Sequence, residues 1–259
     1  MSADPVTYER RGPSAVVTID RQERRNAVDG PTAELLGEAY ERFESEDDAR
    51  VMILTGAGGV AFCAGADLKA IDTFGPRLFD DDGPLGFTRR IASKPTIAAI
   101  GGWCLAGGME LALWCDLRIA AEGSTLGFTE RRFGVPLIDG GTVRLPRLIG
   151  LSRALDLILT GRAVSAAEAL QMGLVNRVVP RGTARAAAEA LARDLADLPQ
   201  ICLRGDRRSA YESLDLNFPQ ALLNETRHGI RSLAAGESAS GARGFAEGKG
   251  RHGSRATSK

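Results

Sequence analysis

Histidine is almost missing from this chain: its 259 residues include only two, His228 and His252, both late in the sequence. That scarcity weakens every mechanism resting on a histidine base, Ser-His-Asp and Cys-His hydrolysis among them. Neither G-x-S-x-G nor H-E-x-x-H occurs. If the chain is catalytic, its proton chemistry falls to carboxylates. Cysteine is sparse too. Cys63, Cys104, Cys115 and Cys202 have no C-x-x-C spacing and stand in apolar or Gly-rich contexts. They read as buried free thiols of a reducing compartment, not as a disulfide framework or a zinc site. An excess of charge is also lacking, since 33 basic residues balance 33 acidic ones, and broad attraction for nucleic acid or anionic membrane goes with it. The longest charge-free stretch, between Lys94 and Glu110, falls short of the roughly 20 apolar residues of a spanning helix. Asp4, Glu9, Arg10 and Arg11 stand where an export signal needs apolar residues, so a cytoplasmic location is expected.

What is present suits a folded α/β protein. Apolar content of 44% and charged content of 25% argue against wholesale disorder. The β-branched run from Ala15 to Asp20 reads as a strand, as do Val51–Thr55, Thr96–Ile100, Leu117–Ala121 and Val175–Val179. Between them, Leu35, Leu36, Ala39, Tyr40 and Phe43 mark one face of a helix over Thr32–Glu44 that Pro31 opens. Helices are also expected over Ser152–Leu159 and Ala166–Met172, the latter behind a capping-box pattern, Ser165 to Glu168. Past Thr183 the strand signal stops and helical spacing continues to about residue 235. From Gly236 the chain is rich in Gly, Ser and Arg, and its end is expected to be mobile. The expected organisation is an α/β core over residues 1–195 and a C-terminal helical region with tail over 196–259.

Four motifs carry possible chemistry. Gly56-Ala-Gly58-Gly-Val-Ala61 fits a loose dinucleotide fingerprint, but the following Phe62-Cys-Ala-Gly-Ala66 is poor helix, which argues against nicotinamide binding. Gly107-Gly108 opens an apolar helix with Glu110 in its first turn. Such a start leaves bare N–H groups that suit the developing charge of a carbonyl or thioester oxygen. Glu110 is either a carboxylate in use or one favoured by the helix dipole, and the two readings weigh evenly. Ala61-Phe-Cys-Ala-Gly65-Ala66-Asp67-Leu-Lys69 offers another N–H, with Asp67 placed to cap a short helix. Glu130, beside Arg131 and Arg132, reads by composition as a surface charge.

Taken in order, Ala61–Lys69, Ala106-Gly-Gly-Met-Glu-Leu-Ala112 and Gly140-Gly-Thr-Val-Arg-Leu145 resemble the crotonase superfamily, specifically the enoyl-CoA hydratases. The loop at Asn26, Leu159-Thr-Gly161 and the segment Ala169–Val175 fit as well, from about Val6 to about Arg251. The resemblance implies a ClpP-like spiral of ββα units, a helical C-terminal region that builds trimers or hexamers, and a hydro-lyase of fatty-acid β-oxidation. Its substrate would be an acyl-CoA, coenzyme A being part of that substrate, with no separate cofactor or metal and with no nucleic-acid or membrane partner. Carried over, the backbone N–H groups of Ala66 and Gly107 form an oxyanion hole, and Glu110 and Glu130 are the catalytic acids. Asn26, Ala64, Asp67, Leu68, Lys69, Gly108, Pro136, Asp139 and Gly140 are expected to meet substrate. Lys249 and Arg251 are candidates for its phosphates, and residues 71–86 for deciding acyl shape.

The chain departs from the family pattern at three places. Ala106 stands where a third glycine is usual, which reads as a small change. Arg131 and Arg132 either hold Glu130 ionised or turn it away. Val135-Pro-Leu-Ile-Asp139-Gly-Gly adds a carboxylate, Asp139, which reads as a turn residue first and second as an acid for double-bond isomerisation, displacement or other crotonase-type acyl-CoA chemistry. Hydration, isomerisation and a non-catalytic acyl-CoA- or RNA-binding role are thus the competing functions. Neutral charge and both glutamates speak against the last.

Overall fold

The computed structural model describes residues 4–248. The chain divides into two compact units, Met1–Arg193 and Asp194–Lys259. Among the described residues, two sheets occupy the first unit. Strands β1 (Val6–Arg11), β2 (Ser14–Ile19), β3 (Val51–Gly56), β5 (Thr96–Ile100), β7 (Leu117–Ala121) and β10 (Arg177–Val179) form one, in the order β1-β2-β3-β5-β7-β10. All its pairings are parallel except β1 with β2. The short strands β4 (Ala61–Cys63), β6 (Trp103–Leu105), β8 (Thr125–Gly127) and β9 (Ala163–Ser165) form the second sheet. Each of β3, β5 and β7 passes its chain to a short strand of the second sheet and then to a helical segment, the repeated ββα unit expected.

The helices are α1 (Gly30–Ser45), α2 (Gly107–Trp114), α3 (Gly141–Ile149), α4 (Leu151–Thr160), α5 (Ala166–Met172) and α6 (Ala184–Ala196), followed by α7 (Gln200–Glu212), α8 (Phe218–Ala234) and α9 (Glu237–Ala246). Helix α1 starts where Asp29 accepts a hydrogen bond from Thr32 N and Pro31 sits in the first turn. It buries Leu36, Ala39, Tyr40 and Phe43, the face its spacing predicts, and each large side chain is worth about 1.5–3 kcal/mol when fully withdrawn from water. Buried Lys94 closes the far end by donating to the carbonyls of Phe43 and Glu46. Ser165 caps α5 as predicted, but Glu168 does not complete the capping box; its carboxylate pairs with Arg162 at 2.7 Å.

Several elements were not expected from the sequence. Three-residue strands such as β4 and β8 are too short to show alternation, and the half-exposed β1 carries Glu9, Arg10 and Arg11. Helix α9 lies in the Gly/Ser-rich stretch past residue 235. Cys202 is exposed, unlike Cys63, Cys104 and Cys115, so the expectation of four buried thiols holds for three. Of the histidines, His228 is bonded to Glu212 within the second unit, and His252 lies outside the described residues.

Candidate active site

The dinucleotide-like glycines lead from β3 into a strand, β4, instead of a helix, which removes the geometry that motif needs. The chain after β4 does something else. Val28 N donates to Gly65 O at 2.8 Å and Asp67 N donates to Val28 O at 2.7 Å, a single parallel bridge centred on Ala66. The amide between those two bonds, that of Ala66, is directed to the opposite side. Arg21 locks this join. It donates to the Ala27 carbonyl at 2.5 Å and pairs with Asp29 at 2.7 Å and Asp67 at 3.2 Å.

The start of α2 meets this turn. A Cβ on Gly108 would stand 2.1 Å from Cys63 O, so only glycine lets the helix approach β4 this closely. A Cβ on Gly107 would lie 3.6 Å from Ala66 N, which puts the two backbone segments side by side. Neither the Ala66 nor the Gly107 amide donates to another protein group among the described residues. Ala106 precedes them with φ 53° and ψ −129°, a region that favours glycine. Replacing a glycine by alanine here is therefore not the small change expected; it stores backbone strain of about 1–3 kcal/mol.

Glu110 sits one turn further along α2, at 2% exposure. Its Oε1 accepts from Asp139 N at 3.0 Å and from Gly141 N at 2.7 Å, at the entrance to α3. Burial, the nearby Asp139 charge and, to a lesser degree, Glu130 push its carboxyl up to about 8. Glu130 is carried on a single turn of 3-10 helix, Thr129–Phe133, that follows β8. At 6% exposure it is not the surface charge its composition suggested. Both its carboxylate oxygens are buried and have no hydrogen-bond partner, and burial raises its pKa against the opposing charge of Arg131. Arg131 and Arg132 neither bond to Glu130 nor turn it away. They donate to the carbonyls of Ile158 and Gly161, at the end of α4.

Asp139 overturns its reading as a simple turn residue. It is 4% exposed, and its Oδ1 accepts from Leu85 N at 3.1 Å and from the Thr88 hydroxyl. Burial raises its pKa, while Thr88, Leu85 and the charges of Arg89 and Arg144 pull it back. Arg144, on α3, ties the Asp139 and Thr88 carbonyls together.

The three carboxyls and the two amides face one cavity of about 380 Å³. Glu110, Glu130, Ala66 and Gly107 are on its wall, with Ala64, Leu68, Pro136 and Asp139 of the residues expected to meet substrate. Five others are not. Asn26 spends its side chain on Arg21 N, Ala57 O and Ala61 O, and so holds the loop. Asp67 caps Lys69 N and pairs with Arg21, Lys69 is exposed, Gly108 packs on Cys63, and Gly140 turns with φ 99° into α3. Lys249 and Arg251 lie outside the described residues. The stretch expected to shape the acyl site reaches the wall through Ile71, Phe74, Leu78 and Leu85. Phe133, Val135 and Ile138 were not singled out; the only signal for them was apolar character between turn residues.

This arrangement offers two neighbouring backbone donors and three buried carboxyls in a mostly apolar cleft, a setting for general acid–base chemistry at a polarised carbonyl. A family profile described as enoyl-CoA hydratase/isomerase matches residues 10–252. An enoyl-CoA hydratase of Mycobacterium tuberculosis, EchA19, is 37% identical over 253 residues, which cover 95% of each chain. A carnitinyl-CoA dehydratase of Salmonella typhi is 38% identical over 198 residues, 75% of each chain. The crystal structure of enoyl-CoA hydratase EchA1 from Mycobacterium marinum superposes with a TM-score of 0.90 at 36% identity, covering 95% of this chain and 96% of that one.

Proposed function

The chain belongs to the enoyl-CoA hydratase/isomerase family, whose spiral fold it shares, and we propose that it adds water across the 2,3 double bond of a trans-2-enoyl-CoA thioester. One observation carries this reading: Glu110 and Glu130, both buried, share a cavity wall with two amides that donate to no other protein group among the described residues. The thioester oxygen accepts from Ala66 N–H and Gly107 N–H, which draws electron density from C3 and stabilises the enolate-like oxygen. A single such donor is typically worth about 3–4 kcal/mol of barrier. Glu110, ionised, takes a proton from water as its oxygen bonds to C3. Glu130, protonated, gives its proton to C2 as the π electrons close that bond. Atoms and charge balance with one proton shared between two acids, so the pair titrates as a unit. Burial raises both carboxyls, that of Glu110 to about 8, so the pair holds a proton readily, and the reactive arrangement is the one with that proton on Glu130.

The coenzyme A portion would meet Arg24 and Arg25, exposed and on the chain that bonds to Ala64 through Arg25 O. The C-terminal unit leaves Phe218, Leu223 and Leu233 exposed, which supports a homotrimer, alone or paired into a hexamer, that covers them. A second chemical reading, shift of the double bond, draws support from Asp139 as a third carboxyl on the same wall.

The test is loss of the conjugated thioester absorbance when purified protein meets trans-2-enoyl-CoA. Turnover is expected, with Glu110→Gln and Glu130→Gln each slower by roughly 100- to 10,000-fold. Absence of hydration at every chain length would overturn the proposal. Glu130→Gln sparing turnover of a 3-enoyl-CoA while Asp139→Asn abolishes it would favour the double-bond shift.

A further inference from the structure

The three carboxyls occupy the buried end of the cavity, and its remaining wall is almost wholly apolar. Leu68, Ile71 and Leu78 come from one side of it; Phe133 and Ile138 come from the other. All five are large, apolar and exposed, although each faces the same cleft. Apolar side chains left open to water on both banks of a cleft form a trough that gains most from an apolar occupant.

Volume sets the size of that occupant. A cavity of about 150 Å³ holds a benzene ring, so about 380 Å³ has room for roughly a dozen or more heavy atoms, those of the thioester included. A four-carbon acyl group, together with its carbonyl oxygen, the sulfur and the attacking water, would fill only about half of that space. The polar fixings also cluster at one end: the Ala66 and Gly107 amides and the buried acids orient a thioester there, and past them only Asp72, at the exposed rim, carries a charge. Apart from Asp72 and the half-buried Thr129 hydroxyl, the wall that an acyl tail meets beyond the thioester is apolar. Recognition of the tail rests on apolar area.

We infer that this site selects apolar acyl groups of about eight or more carbons, held in the trough between residues 68–78 and 133–138. The inference rests on the hydratase reading for its assay, though not for its binding arm. Comparison of kcat/KM for four-, eight- and twelve-carbon trans-2-enoyl-CoA thioesters tests it. Each added methylene buried in the trough should raise kcat/KM by about fourfold until the trough is full, so the eight-carbon substrate should exceed the four-carbon one at least tenfold. A maximum at four carbons would overturn the inference. If no thioester is hydrated, the hydratase reading fails alone, and calorimetric titration with butyryl-CoA and octanoyl-CoA then decides this one. Octanoyl-CoA binding at least tenfold tighter supports the trough. Equal affinities overturn it, and are the outcome expected if protein, such as a second copy of the chain, fills the trough. Ile71→Glu and Phe133→Glu, both at exposed positions, should each cut the eight-to-four-carbon ratio at least fivefold; an unchanged ratio in both would place the acyl tail elsewhere.

Discussion

The backbone amide of Asp139 donates to Glu110 Oε1 over 3.0 Å, while the Asp139 side chain accepts from Leu85 and Thr88. One residue thus joins the acid of α2 to the loop that packs over Gly107, where Leu85 Cδ1 would lie 3.0 Å from an added Cβ. Asp139→Ala leaves two buried donors unpaired, and each costs about 1–3 kcal/mol. Asp139→Asn keeps an acceptor in place. Urea titration should show the alanine variant the less stable of the two by about 2 kcal/mol or more. Equal stabilities would mean the side chain is not holding that loop.

Glu110 links stability to pH with a definite sign. Its carboxyl is raised from 4.5 to about 8, so the folded state holds the proton more tightly than the unfolded chain does. The stability this contributes is complete below pH 4.5 and is lost as pH rises through 8. Glu110→Gln abolishes the ionisation and keeps an acceptor for Asp139 N and Gly141 N. Relative to the parent, the variant should gain on the order of 3 kcal/mol between pH 5 and pH 9 in denaturant titrations. The same difference at both pH values would contradict the raised pKa.

Ala106→Gly should stabilise the protein. The residue sits at φ 53° and ψ −129°, and glycine removes the Cβ strain at the expense of a looser unfolded chain. The net gain should be about 1 kcal/mol, read as a higher urea midpoint with an unchanged slope. A lower midpoint would show that Ala106 is at ease there.

Gly141→Ala tests how finely Glu110 is aimed. The new methyl would lie 2.9 Å from the Phe128 ring and 3.0 Å from Glu110 Oε1, so the ring shifts and the carboxylate gives by a few tenths of an ångström. A reacting group displaced by about 1 Å can lose on the order of 100-fold in rate, so a shift of a few tenths should cost a smaller factor. The expected result is a fall in kcat with KM little changed; retention of full kcat would mean that the carboxylate position is not critical.

The exposed apolar residues of the C-terminal unit make assembly measurable. Sedimentation of the parent should give a trimer or hexamer. The double variant Phe218→Glu, Leu223→Glu should move it toward monomer, since charges are costly inside an interface. A monomeric parent would refute the assembly proposed.

Much of the fold was legible in the sequence because it rests on local patterns. The apolar run of β3, the Leu36–Ala39–Phe43 face of α1 and the Ser165 cap are each set by neighbours a few residues away. The three-residue strands of the second sheet were not legible, because their pairing with one another is a long-range fact that so short a segment cannot announce. In the site, Glu110 and the glycines beside it stood out as a carboxylate at an apolar helix start. Glu130 stood out only through the family resemblance, since its own neighbours, two exposed arginines that reach the end of α4, read as a solvated face.

The sequence by itself determined the chemistry available: carboxylates in place of histidines, glycines where backbone must touch backbone, and the family motifs in order. Only the tertiary structure decided which carboxylates share a cavity. It turned Asp139 inward and Asn26 to the backbone, and it left the amides of Ala66 and Gly107 without partners. The physical reason is that burial and pairing depend on segments brought together from far apart in the chain. A residue's type states what it can donate or accept, but only its surroundings fix what it does.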